Sequence, residues 1–349
     1  MTRSAATWPA AVSLRSARLV HGAPRSATVL AVFPTALYLQ AGGHADVLPV
    51  VTRDGLRLPT ALMVAARLPT VGWGAQPGDP VMVGGGDVRL PGVTVRAVRT
   101  WTPRPAPRAA DGVCGPDGPD GADGSEGVDG FDGFDGFDSG HLATLPLPWR
   151  PPARAVTEVL LHGDCTPAGL AGRVGTLVGA GPGLTPSGDD VLCGVLLGLR
   201  LHRRGTPALV DELWRAVEPR LATTTSLSAS LLREAADGYA AAPVTRLLEV
   251  LASLGSSRRD EQGTVADAVR AVLAIGHTSG ADLLGGLAGC LDALAAPDLV
   301  LAPAAAPVPA SAATPVPAST APLFLAPTAT PATPATPATP VPAIPRSLP

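Results

Sequence analysis

The sequence predicts an α+β fold: a small N-terminal β domain followed by an α-helical domain. Two patterns carry this prediction, and one contrast bounds it. Residues 18–105 run in short Val-, Leu- and Thr-rich stretches separated by turn signals, whereas residues 141–298 repeat apolar residues three and four apart. Residues 106–140 and 299–349 differ from both, because their composition offers little with which to build a core.

The strand signals come first along the chain. They are ATVLAVF (Ala27–Phe33), DVLPVVT (Asp46–Thr52), DPVMVGGGDVRL (Asp79–Leu90) and VTVRAVRTW (Val93–Trp101). Val93, Val95 and Ala97 alternate with Thr94, Arg96 and Val98, the period of a half-buried strand, and Gly84–Gly86 suits a hairpin turn. Upstream, Arg3, Arg15 and Arg18 precede SATVLAVFPTALYL, whose apolar part comes late and is interrupted by Pro34. That arrangement reads as a strand rather than a signal peptide, and the expected location is the cytoplasm.

Residues 106–140 hold the acidic Gly/Asp segment, expected to be disordered. Gly recurs at every third position from Gly112 to Gly136, but Pro is scarce and Asp fills most of the third positions, unlike collagen. Without its nine acids the formal charge rises from −3 to about +6, so the rest of the chain is mildly basic. A mild positive charge suits small anionic ligands. Nucleic acid is not expected, since no Arg-rich run interleaves with aromatics. The tail, residues 299–349, carries no charge from Leu299 to Pro345 and holds 14 of the 39 prolines in its last 48 residues. Proline at that density forbids a helix, so the tail is read as extended and disordered, and no membrane span is expected.

There is no Lys and no Asn, so all 26 basic residues are Arg. Schiff-base chemistry and a P-loop lysine are both excluded. The four cysteines (Cys114, Cys165, Cys193 and Cys290) form no CxxC pair and read as reduced thiols. His162, Asp164 and Cys165 lack a partner motif at zinc-ligand spacing.

The helical half carries DELWRAVEPRLA, SLSASLLREAADGYAAA, VTRLLEVLASL and TVADAVRAVLAIG, all with helical apolar spacing. Its most informative string is LVGAGPGLTPSGDDVLCGVLLG (Leu177–Gly198), a Gly-rich loop leading into a helix. Glycines let a backbone turn sharply and approach a ligand, and the amides at a helix start attract anions. A second string, GHTSGADLL (Gly276–Leu284), repeats the pattern 92 residues later, with Ser279, Gly280 and Asp282 falling on Ser187, Gly188 and Asp190. Converging, the two would bracket one pocket. TTTSLSASLL (Thr223–Leu232) lies between them as a further hydroxyl-rich helix start.

The candidate ligand-binding residues are Gly181, Gly183, Thr185, Ser187, Gly188, Thr278, Ser279 and Gly280, and the candidate catalytic residues are Asp189, Asp190, His277 and Asp282. His277 is the best acid or base. The structural alternative is that Ser187-x-x-Asp190 and Ser279-x-x-Asp282 are capping boxes, with Gly194, Gly198, Gly285 and Gly289 permitting close helix packing. Charge limits the ligand. A phosphate oxygen about 4 Å from a carboxylate is repelled by roughly 4 kcal/mol at an effective dielectric of 20. Phosphate against Asp189 or Asp190 therefore needs Mg²⁺ or an Arg. Otherwise the carboxylates face the N–H groups of a carbamoyl or amide group, and the sequence leaves both arrangements open.

GAGPGLTPSGDDVLCG, TTTSLSASLLREAADG and GHTSGADLLGG together resemble the AllH family, as does the N-terminal run through WTPR (Trp101–Arg104). The resemblance spans about residues 18–105 and 141–297; the Gly/Asp segment and the tail depart from it. It implies a subunit of oxamate carbamoyltransferase, which converts oxalurate and phosphate to oxamate and carbamoyl phosphate in allantoin degradation. It also implies an FdrA-like partner and one further subunit. Two rivals stand beside it: a Mg²⁺-dependent hydrolase similar to ADP-ribosylglycohydrolases, resting on the SGDD string alone, and a non-catalytic scaffold of capped helices.

Overall fold

The computed structural model describes residues 6–66, 72–108, 142, 145–162, 167–253 and 262–296. Its β half corrects the expectation of a small β domain, for the strands close into an eight-stranded barrel. They are β1 (Ala6–Ser13), β2 (Arg25–Val32), β3 (Ala36–Gln40), β4 (Val47–Val51), β5 (Leu62–Val64), β6 (Pro80–Gly84), β7 (Asp87–Leu90) and β8 (Val93–Trp101), with a short helix α1 (Ala17–His21) after β1. The order around the ring is β1-β5-β4-β3-β2-β6-β7-β8. Parallel pairing of β8 with β1, from Ala6 opposite Val93 to Ser13 opposite Trp101, completes the closure. A closed sheet leaves no row of unpaired amides at an edge.

Local chemistry explains the turns and the faces. Gly85 and Gly86 join β6 to β7 with φ of +63° and +88°, the left-handed pair that a tight two-residue hairpin requires. Val12, Val29, Leu37, Leu39, Leu48, Val50, Val83 and Val95 fill the barrel. β4 is buried throughout because Leu48 and Val50 face inward while Val47 and Val51 pack outward in a second cluster that includes Leu227. A strand covered on both sides loses its alternation and reads as a continuous apolar run.

The helices are α2 (Arg150–His162), α3 (Pro167–Leu177), α4 (Ser187–Leu201), α5 (Pro207–Val217), α6 (Ser226–Ala236), α7 (Ala242–Ser253), α8 (Gln262–Leu273) and α9 (Ser279–Ala295), with a 3₁₀ turn at Glu218–Thr223. Thr206 caps α5 by accepting from the Leu209 amide, and Thr225 caps α6 by accepting from Ser228. Gly238, at φ +86°, follows the end of α6. α4 is buried from Gly188 to Leu199 and forms the axis of the helical core with α9. The Arg15 guanidinium ties the barrel to α6 through Glu234 at 2.7 Å and a second bond to Asp237. Barrel and helices pack as one compact unit.

Ala106, expected in the acidic segment, is buried, and its amide donates to Gly238 O at 2.7 Å. Most of the Gly/Asp segment and all of the tail, with the disorder expected of them, lie outside the described residues. So do Cys114 and Cys165; Cys193 and Cys290 are buried free thiols. Among the described residues no helix is long and apolar enough to cross a membrane.

Candidate functional site

The two Gly-rich strings form equivalent helix–loop–helix corners, α3 to α4 and α8 to α9, which meet across a pseudo-twofold contact. A Cβ on Gly188 would stand 2.0 Å from Leu177 O, and one on Gly280 would stand 1.9 Å from Val272 O. Each corner therefore closes against the carbonyl of the preceding helix. The pairing then crosses over: a Cβ on Gly194 would meet Leu283 O at 2.2 Å, and one on Gly286 would meet Val191 O at 2.1 Å. These positions are related by the same 92-residue offset as the strings. Gly289 serves an equally close approach, 2.2 Å to Arg150 O, and Gly198 and Gly285 serve looser ones, 3.0 Å to Cys290 and 3.2 Å to Trp149.

The capping-box expectation fails at both corners. The residue before α4 is Pro186 and the one before α9 is Thr278, and neither provides a side-chain cap. The hydroxyls bridge the corners instead, with Thr185 Oγ1 and Ser279 Oγ sharing a hydrogen bond of 2.8 Å. The amides flanking the Gly181–Ser187 loop are engaged internally. Gly179 N donates to Asp189 Oδ1 at 2.9 Å, Gly188 N to Ala180 O at 2.9 Å, and Asp189 N to Pro186 O at 3.0 Å.

Asp189, Asp190 and Asp282 are all buried. They differ in their partners. Both oxygens of Asp189 are occupied, Oδ1 by the Gly179 amide and Oδ2 by the Thr224 hydroxyl, so Asp189 ties the Gly-rich loop to the TTTS loop. Thr225 strengthens that tie, donating to Leu184 O at 2.5 Å. Burial raises the Asp189 carboxyl, and the Thr224 and Gly179 bonds pull it partly back. Asp190 Oδ2 and Asp282 Oδ2 are buried without hydrogen-bond partners. Burial pushes Asp190 up to about 8; the Ser279 hydroxyl opposes that rise and the charges of Asp282 and Asp189 add to it.

Asp190 lines one end of a cavity of about 430 Å³ between the barrel and the helices. Thr185 and Ser279 stand at the same end, with Cys193 beside them. The barrel contributes Phe33, Thr35 and Tyr38, and the remaining wall is largely Leu, Ala and Pro. The result is an apolar pocket with one small polar corner, the usual form of a small-molecule site.

Residues 177–291 match the model of the family described as oxamate carbamoyltransferase subunit AllH. This stretch is similar to the AllH family. No solved structure matches the chain. The matched stretch begins at the last residue of α3 and ends within α9, so it holds both Gly-rich loops together with Asp189, Asp190 and Asp282.

Of the residues singled out in the sequence, Thr185, Asp190, Ser279 and Gly280 line the cavity. Gly181 and Gly183 are exposed at φ +114° and +96°, on the outer part of the Gly-rich loop. Ser187 is half-buried against Gly181, Gly188 packs on Leu177, and Asp282 is buried behind the lining. His277 and Thr278 are exposed and do not line the cavity. Of the pair read as Mg²⁺ ligands, Asp189 has both oxygens hydrogen-bonded, whereas Asp190 keeps one unpartnered; among the described residues no three of His, Cys, Asp and Glu gather as ligands. Sequence reasoning missed Phe33, Tyr38, Cys193 and Tyr239. Cys193 lay within the quoted string, one helical turn beyond Asp190, but the barrel residues carried no local signal.

Proposed function

We propose that this chain is a subunit of a carbamoyl-transferring enzyme, and that the polar corner of the cavity holds the amide end of the substrate. One observation carries the reading: a buried Asp190 carboxyl, neutral below about pH 8 and with an unpartnered oxygen, stands at the cavity's only acidic wall among the described residues. A neutral carboxyl offers one O–H donor and one acceptor oxygen, which complement the C=O and N–H of an amide. The Thr185–Ser279 hydroxyl pair supplies further donors and acceptors, and the apolar wall excludes water. The match of residues 177–291 to the AllH family supports this substrate class.

In phosphorolysis of oxalurate, a phosphate oxygen bonds to the ureido carbonyl carbon, the C–N bond to oxamate breaks, and the departing nitrogen takes a proton. Asp190 is the proton donor in this reading, with Thr185 and Ser279 positioning the amide. A neutral Asp190 carboxyl does not repel the incoming phosphate, as an ionised one about 4 Å away would by roughly 4 kcal/mol. An FdrA-like subunit and one further partner complete the enzyme in the cytoplasm. Asp189, with both oxygens engaged, is a structural tie.

The test is phosphate-dependent release of oxamate from oxalurate by the chain assembled with its partner subunits. Activity should fall as pH rises through about 8, where Asp190 loses its proton. Asp190→Asn, which keeps shape and hydrogen bonding but cannot give up a proton, should lower kcat by about 10²-fold or more with little change in KM. Full activity in Asp190→Asn would refute the assignment.

A further inference from the structure

We propose a second site: the cleft between the barrel and α7 binds a small organic oxyanion, a phosphate ester or carboxylate, through the guanidinium groups of Arg57, Arg104 and Arg246. The cleft has a volume of about 380 Å³ and lies beside the apolar cavity, sharing only Leu58, Pro59 and Ala240 with it. None of those three brings charge, so the oxyanion site stands independently of the amide site.

Three separate stretches of chain deliver the arginines to one place. Arg57 comes from the connection between β4 and β5, Arg104 from just beyond β8, and Arg246 from the first turns of α7. Arg57 is anchored by its neighbours. Ala242 N, at the start of α7, donates to Arg57 O at 3.0 Å, and the Arg57 guanidinium lies 5.9 Å from the Trp101 ring centre. Trp101 is in turn fixed by its indole N–H, which donates to Ala61 O at 3.1 Å. An aromatic face beneath a guanidinium keeps its fork of donors free at the edge.

Among the described residues the charge is only partly compensated. Glu249 is the one carboxylate lining the cleft among the described residues, and its two oxygens stand 3.8 Å from Arg104 and 3.8 Å from Arg246, the outer limit of an ion pair. Arg57 has no ion pair among the described residues, so three cations face one anion. Thr102 and Thr245 also line the cleft, as does Ala242 at the start of α7. Arg forks match the paired oxygens of a phosphate or carboxylate, and the volume exceeds that of a bare inorganic ion.

The experiment is calorimetric titration of the full chain with inorganic phosphate and, separately, with oxalate, at ionic strength held constant with chloride. Saturable binding of at least one oxyanion is expected. The preferred ion distinguishes a phosphate from a carboxylate ligand. Arg57→Gln and Arg246→Gln should each weaken binding about tenfold, the effect of one lost charge-assisted contact. Glu249→Gln should tighten it, a gain that misfolding cannot imitate, and Asp190→Asn should leave it unchanged. Absence of binding by either ion, or equal affinity in wild type and both arginine variants, would overturn the proposal. A loss in Asp190→Asn equal to that in the arginine variants would do the same, because it would place the ion in the cavity.

Discussion

Replacing Asp190 by Asn isolates the most unusual electrostatic feature of the fold. The group's ordinary ionisation lies at 3.8, whereas burial raises it to about 8 in the folded chain. Between those values the folded protein retains a proton that the unfolded chain has lost. Its contribution therefore makes stability fall as pH rises from about 4 and level off above about 8. At about 1.36 kcal/mol per pKa unit, the part of that fall between about pH 5 and pH 8 amounts to roughly 4 kcal/mol. Domains have only about 5–15 kcal/mol of stability in all. Asn keeps the shape without the ionisation, so the advantage of the variant over wild type should grow by about 4 kcal/mol across that window, or by about 10 °C in Tm. Urea denaturation followed by circular dichroism, at closely spaced pH values on both proteins, measures the difference directly. The other titrating groups cancel in that comparison. A stability difference that stays constant from about pH 5 to pH 9 would refute the reasoning, for it would mean that Asp190 ionises as an ordinary carboxyl.

Other substitutions test the packing and the ties. Gly194→Ala and Gly286→Ala each force a methyl to within 2.2 and 2.1 Å of a carbonyl on the facing helix, so each should cost at least about 3 kcal/mol in thermal melts. Gly172→Ala, with nothing within 4 Å in an exposed part of α3, should instead stabilise by about 0.5–1 kcal/mol. Asp189→Ala strands the Gly179 amide and the Thr224 hydroxyl and should cost about 2–3 kcal/mol by chemical denaturation; a loss below about 0.5 kcal/mol would contradict its role as a tie. Arg150→Met leaves Asp292 without the paired bonds of 2.6 and 2.8 Å and should cost about 2–4 kcal/mol, most of it recovered in the double variant Arg150→Met/Asp292→Leu.

Much of the fold was legible in the sequence where the signal is local. Val93–Trp101 alternates and is a strand, Gly84–Gly86 marks the hairpin, and the four periodic strings fall on helices. Closure of the barrel was not legible. It depends on β1, whose ATWPAAVS lacks a clean alternation and whose parallel partner β8 begins 87 residues later, at Val93. The 92-residue recurrence of the two corners was readable because each glycine answers a local need for close approach. The role of Ser279 was not, because the partner that replaces the expected cap is Thr185, on the other corner. The doubled Asp also hid a division of labour. Adjacent residues on a helix start point about 100° apart, so Asp189 reaches the Thr224 loop while Asp190 meets the cavity. Only the fold shows that part of that cavity's wall comes from the barrel.

The measurement that bears most directly on the account is calorimetric titration of oxamate into the full chain at about pH 7, in wild type, Asp190→Ala and Thr185→Val. Oxamate carries the amide that the polar corner of the cavity is argued to hold. Binding in wild type is predicted, weakened about tenfold in each variant as the amide loses one buried partner. Absence of binding in wild type, or equal affinity in all three proteins, would contradict the claim that Asp190 and the Thr185–Ser279 pair form the substrate site.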